Sequence, residues 1–271
     1  MAQMRALDID GLTVDYLDDG PTGAPPVLLI HGLGWDAYRL WHGTAATLAA
    51  SGYRAIAPNL RGVGGTSATD ARYTTALYAQ DLHAICDALG LQSLPVVGFS
   101  MGASIAAALL ERGASVSALC LACGGLVSTE DGAQATEAML ARAETLGADA
   151  FAAEQATAIF RPDWAKANPD SVADFKRWRA GMDQDALFRA FRSGFGGDYR
   201  AVVEPAGLPV QVIAADHDAF CDLGNMRAMA AAIPGARFDV ITDCGHMAPI
   251  ERPREFNAAL LGFLASLEAA A

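Results

Sequence analysis

Two rhythms of apolar and polar positions alternate along the chain. Short apolar runs of three to five residues end in loops rich in small or polar residues, and between them lie longer stretches with apolar residues three and four apart. This is how a parallel sheet with crossover helices reads. The run Pro26-Val27-Leu28-Leu29-Ile30 has no polar alternation, so both of its faces should be covered. Further strands are predicted at Ala55 to Ala57, Leu94 to Val97, Ala118 to Leu121, Val210 to Ala214 and Phe238 to Ile241. The opening segments, Arg5 to Ile9 and Leu12 to Leu17, alternate as an antiparallel hairpin would at a sheet edge. Tyr78, Leu82, Ile85 and Leu89 form one helical stripe closed by Gly90. Pro253 opens a last helix whose apolar face is Phe256, Leu260, Phe263, Leu264 and Leu267. From residue 128 to 204 no strand-like run occurs, and Ala, charged and aromatic residues are spaced for helices. The expectation is an α/β core formed by residues 1–127 and 205–271, with 128–204 as a helical insertion that caps one edge of the sheet.

Composition narrows the functional classes. A chain of 271 residues, 52% hydrophobic and 18% charged, can bury a large core. Its net charge of −12 repels nucleic-acid phosphates and anionic membrane surfaces. The N-terminal residues lack a signal-peptide pattern and no bilayer-length apolar stretch occurs, which points to a cytoplasmic protein whose partner is a small-molecule substrate. A homo-oligomer is compatible with this composition. The five cysteines are odd in number and scattered, so no disulfide framework is expected. Cys120 and Cys123 form a C-x-x-C, but it ends an apolar run with no second Cys/His pair nearby and reads as buried strand cysteines.

The chemistry lies at the predicted strand ends. Gly98-Phe99-Ser100-Met101-Gly102 fits G-x-S-x-G, in which small residues let a strand turn sharply into a helix with the serine hydroxyl exposed. The apolar strand before it and the Ala-rich helix from Ala103 to Glu111 after it supply the required setting. A serine needs a base, and His is the usual one near neutral pH. Of His31, His42, His83, His217 and His246, only His246 follows the last predicted strand on a loop freed by Gly245. His83 falls within a cover helix, His42 beside Trp41 in an early helix, and His31 in a turn that it should brace. The base needs a carboxylate to fix its tautomer, and Ala215-Asp216-His217-Asp218 supplies one after a strand. Asp218 is preferred and Asp216 is the alternative, while either could simply cap a turn. The oxyanion donors should be the backbone N–H groups of Leu33, in the loop His31-Gly32-Leu33-Gly34, and Met101.

These pieces, together with Asn59-Leu60-Arg61-Gly62, resemble the α/β-hydrolase superfamily over essentially the whole chain. In closer detail the chain is similar to the capped group of small esterases, enol-lactone hydrolases, carbon–carbon bond hydrolases and cofactor-free haloperoxidases. It departs from these relatives at Asn59 and Val63, where Asp and His are common, and at Met247, where carbon–carbon hydrolases often have Trp. A serine at position 100 argues against the dehalogenases and epoxide hydrolases, which use Asp at the elbow. The resemblance implies hydrolysis of a small ester or lactone through an acyl-enzyme, with no metal and no cofactor required. Trp35, Phe99 and Met247 are the side chains expected to line the substrate pocket. Carbon–carbon hydrolysis and perhydrolysis use the same triad and stay open, and a catalytically quiet ligand-binding protein is the alternative from another class. Residues 161–200 carry eight Lys/Arg against six Asp/Glu. A lid so charged could grip a substrate carboxylate or could simply present a solvated face.

Overall fold

The computed structural model describes residues 3–128, 130–193 and 197–270; residues 129 and 194–196, inside the expected insertion, lie outside them. An eight-stranded sheet runs in the order β1-β2-β4-β3-β5-β6-β7-β8. The strands are β1 (Gln3–Ile9), β2 (Leu12–Asp19), β3 (Pro26–Ile30), β4 (Arg54–Pro58), β5 (Leu94–Phe99), β6 (Val116–Ala122), β7 (Val210–Ala215) and β8 (Arg237–Ile241). The hairpin at the edge turns on Asp10 and Gly11, both with positive φ, as a tight two-residue connection requires. From β4 to β8 every neighbouring pair is parallel.

The unalternated strand sequences are explained by helices on both faces. Leu28, Ile30 and Val96 pack on one side with α2 (Thr75–Ala88), α3 (Met101–Glu111) and α10 (Leu223–Ala232). Val27, Leu29 and Val97 pack on the other with α1 (Ala37–Ala50) and α12 (Pro253–Ala270). Each of these six strand side chains is 0% exposed, so the period-2 alternation of the pleat sends neighbours into two separate cores. The helix over Tyr78 to Leu89 begins earlier than its stripe, at Thr75, because the Thr74 hydroxyl caps it by accepting from the Leu77 N–H. Every residue of α3 from Met101 to Leu109 is buried, and its alanines let the helix lie close on the sheet.

Between β6 and β7 the chain forms α4 (Glu130–Leu146), α5 (Ala148–Ile159), α6 (Pro162–Ala167), α7 (Pro169–Ala180), α8 (Gln184–Ser193) and α9 (Arg200–Val203). Of these, α4, α5 and α8 share a small core of Leu140, Ala143, Phe151, Leu187 and Phe191, against which Leu33 also packs. Among the described residues no helix is long and apolar enough to cross a membrane.

The sheet order places the site. From β3 the chain crosses to β4 on one side, then returns to β5 on the other. The loops leaving β3 and β5 therefore diverge in opposite directions, which opens a crevice at the carboxyl edge of the sheet.

Candidate active site

Ser100 leaves β5 with φ 55° and ψ −120°, a conformation costly for any residue with a Cβ, roughly 1–3 kcal/mol. Close packing around it holds the strain. A Cβ at Gly98 would overlap the Gly102 carbonyl, one at Gly102 the Ile30 carbonyl, and one at Gly124 the Ser100 carbonyl. Gly32, in the loop after β3, comes so near that a Cβ there would lie 3.0 Å from Ser100 Cβ. Glycines at these positions thus let strand, helix and two loops converge on one hydroxyl.

His246, on the loop between β8 and α11 (Ala248–Glu251), points its Nε2 at Ser100 Oγ from 3.1 Å. Its Nδ1 faces Asp218 Oδ2 at 2.8 Å and Oδ1 at 3.0 Å. The carboxylate accepts there, so Nδ1 carries the proton and the Nε2 lone pair is turned to the serine. Asp218 Oδ1 also accepts from the N–H groups of Phe220, at 2.8 Å, and Cys221, at 3.0 Å. The Asp218 side chain is fully buried and that of His246 is 8% exposed, so water scarcely competes for this pair.

Asp216 has a different place. Its two oxygens accept from the N–H groups of Asp243, at 2.9 Å, and Cys244, at 3.0 Å, and so fasten the loop after β7 to the loop that carries His246. Burial alone would push its carboxyl up, but these backbone donors outweigh burial and hold it below the ordinary value. Among the described residues, the N–H groups of Leu33 and Met101 have no protein acceptor, and Met101 opens α3, whose positive dipole end faces the serine.

A match to the family model described as the alpha/beta hydrolase family spans residues 27–259. The chain belongs to this family. Among related sequences, one from Cronobacter turicensis named as a carbamate hydrolase, RutD, is 29% identical over 260 residues, 93% of this chain and 95% of that one. Among solved structures, the enol-lactonase from Burkholderia xenovorans LB400 superposes with a TM-score of 0.88 at 23% identity, covering 96% of this chain and 100% of the other. A thermophilic esterase from Thermogutta terrifontis gives 0.87 at 23% identity over 98% and 99% of the two chains. At that identity the structural likeness establishes the α/β-hydrolase fold and nothing finer.

The remaining histidines of this hydrolase are accounted for by local contacts, the exposed His217 by Asp216 3.9 Å away. His31 accepts the Leu60 N–H on Nε2 at 3.0 Å and donates from Nδ1 to the Gly32 carbonyl at 2.8 Å, bracing the loop after β3. Burial lowers its pKa and keeps it neutral. His42 lies exposed with Nδ1 3.0 Å from the Tyr38 carbonyl, and His83 sits on α2 near Asp87. Where Asp is common, Asn59 accepts from the Ala37 N–H at 2.6 Å and donates to Asp15 at 2.9 Å, tying the start of α1 to β2. Cys120 and Cys123 are both buried and unpaired.

Trp35, Phe99 and Met247 are all buried, at 6%, 1% and 0% exposure. Trp35 sits among Phe160, Phe175 and Trp178, with ring centroids 5.1–6.3 Å away, and so joins the loop after β3 to α7. Phe99 lies edge-on to Trp41 and 5.1 Å from the His246 ring. These side chains back the site from within the core. Asp218, Cys221 and His246 bring three potential metal-ligand atoms within 4.8 Å of one another. Two of those groups are already bonded to each other, and the Cys221 thiol, pushed up by burial, donates to the Cys123 carbonyl at 3.0 Å.

One residue of consequence escaped the sequence reading. Glu251, 5% exposed, accepts the N–H groups of Gly245 at 3.0 Å and Met247 at 3.2 Å, on either side of His246, and that of Arg161 at 3.3 Å. Burial raises its pKa above the ordinary value despite these donors. The only sequence signal was a carboxylate five residues after the histidine, two residues before the proline that opens the last helix.

Proposed function

We propose that this hydrolase cleaves a small carboxylic ester or lactone through an acyl-enzyme on Ser100. The observation that carries the reading is the unbroken line from Ser100 Oγ to His246 Nε2, 3.1 Å, and from His246 Nδ1 to the buried Asp218, 2.8 Å. His246 takes the serine proton as Oγ attacks the carbonyl carbon, and Asp218 stabilises the imidazolium that forms. The tetrahedral oxyanion is held by the N–H groups of Leu33 and Met101. His246 then gives its proton to the departing alkoxide, which leaves the acyl group on Oγ. Water, deprotonated by the same Nε2, releases the acid and restores the serine. Residues 128–204 act as a lid over this crevice, with Trp35 as its seat on the core, and the pocket is closed behind the histidine by Phe99 and Met247.

The sequence relative named as a carbamate hydrolase favours a second reading, in which the leaving group is an amine and the serine attacks a carbamate. The machinery is the same, so substrate panels separate the two. The test of the shared step is mass spectrometry of the intact chain after a fluorophosphonate. One adduct, on Ser100, absent in Ser100→Ala and His246→Ala, is the expected outcome; labelling that persists in Ser100→Ala would overturn the assignment.

A further inference from the structure

The arginines between β6 and β7 differ in one respect that sequence charge counting hides. Arg142 pairs with Glu154, Arg161 with Asp163 and Asp243, Arg177 with Asp174, Arg189 with Asp70, Arg192 with Glu137 and Arg200 with Asp198. These side chains lie largely at the surface and their charges are locally neutralised. Arg179, on α7, is the exception: it is 3% exposed, and among the described residues no carboxylate lies within ion-pair distance of it. Its Nη2 donates to the neutral Gln155 Oε1, its guanidinium stands 5.2 Å from the centre of the Phe191 ring, and its Nε–H has no acceptor. Burial without a counter-ion lowers its pKa to about 9, so it is still a cation at neutral pH.

The position of that cation gives it a use. Its guanidinium lies directly against Gly34, where φ is +65° and any Cβ would overlap the Nη1 end. Gly34 closes the loop whose Gly32 packs on Ser100 and whose Leu33 N–H is free. A buried, unpaired guanidinium is costly to the fold. Apart from the bond to Gln155, its five N–H donors have no acceptor among the described residues, and they keep the fork geometry that matches a carboxylate.

We propose that Arg179 recognises a carboxylate on the substrate, so that the hydrolase selects esters or lactones carrying a second, anionic group near the scissile carbonyl. This rests on Ser100 as the nucleophile. The incoming carboxylate supplies the counter-charge that the fold withholds and orients the carbonyl toward the loop after β3. Lid basicity in general is not the device, because the other arginines are already paired.

The test compares wild type, Arg179→Met and Arg179→Lys on two p-nitrophenyl esters with four-carbon acyl groups, the neutral butyrate and the anionic hemisuccinate. In Arg179→Met the ratio of kcat/KM for the hemisuccinate to that for the butyrate should fall by about tenfold or more, chiefly through KM, with partial recovery in Arg179→Lys. The Tm of Arg179→Met should equal or exceed that of wild type, because an uncompensated buried charge has been removed. An unchanged ratio, or a lowered Tm with both esters affected alike, would show that Arg179 only holds α7 in place. Calorimetric titration with succinate gives a readout independent of turnover: binding to wild type that Arg179→Met loses supports the proposal, and equal or absent binding in both overturns it. A chain that neither turns over the esters nor labels at Ser100 refutes the nucleophile reading, and the titration still decides the role of Arg179.

Discussion

Replacing Asp218 by Asn probes the arrangement most sharply, because it changes charge and almost nothing in shape. Oδ1 accepts the N–H groups of Phe220 and Cys221, so the amide oxygen must stay there and the NH2 must take the place of Oδ2, 2.8 Å from His246 Nδ1. Donor then faces donor. The ring either tilts toward the neutral oxygen or adopts the tautomer with hydrogen on Nε2, which cannot receive the serine proton. In both cases the imidazolium formed in the transition state loses its counter-charge. At 2.8 Å the Coulomb energy of that pair is about 6 kcal/mol for an effective dielectric near 20. A loss of about 10⁴-fold in kcat, roughly 5.4 kcal/mol, is what a triad deprived of its carboxylate charge shows. The assay is steady-state hydrolysis of p-nitrophenyl butyrate alongside the rate of fluorophosphonate labelling, with thermal melting to show that the fold is kept. Asp216→Asn is the control. It leaves one backbone N–H of the His246 loop without an acceptor, costing about 1–3 kcal/mol of stability, and should lower activity far less. A smaller loss in Asp218→Asn than in Asp216→Asn would refute the reasoning.

Glu251→Gln, unable to accept on both oxygens, should free one N–H beside His246, cost about 1–3 kcal/mol and lower kcat more than it raises KM, as melting and steady-state kinetics would report. Because the Asp216 carboxyl is held below its ordinary value in the fold, its contribution is complete above the unfolded pKa and is lost as pH falls through the folded one. Tethering of the His246 loop should therefore weaken only in acid, below about pH 4, and Asp216→Asn should flatten that limb of the Tm profile. Gly124→Ala would force a Cβ onto the Ser100 carbonyl and should destabilise by about 1–3 kcal/mol with loss of labelling. Leu28→Ala, at a fully buried site remote from the chemistry, should cost about 2–5 kcal/mol by denaturant melts while leaving the kcat of the surviving fold near wild type.

Much of this molecule follows from its sequence alone, and what does is local. Unalternated apolar runs could only be strands covered on both faces, and Tyr78, Leu82, Ile85 and Leu89 could only cover one of them. The same local grammar put Ser100, Asp218 and His246 each past the end of a strand, because loops at strand ends are where polar side chains escape the core. Sequence could rank Asp218 above Asp216 but not explain the choice. In the structure Asp218 meets an imidazole, while Asp216 meets two backbone donors. Nor could sequence see which rings Trp35 and Phe99 pack against, that Glu251 holds the histidine loop, or that one arginine among seven between β6 and β7 has, among the described residues, no carboxylate within ion-pair distance. Those facts depend on contacts between residues far apart in the chain, such as the 146 positions between Ser100 and His246. Periodicity records which side of an element is buried; only the packed sheet and its crossovers determine which buried groups meet, and whether a charge finds its opposite.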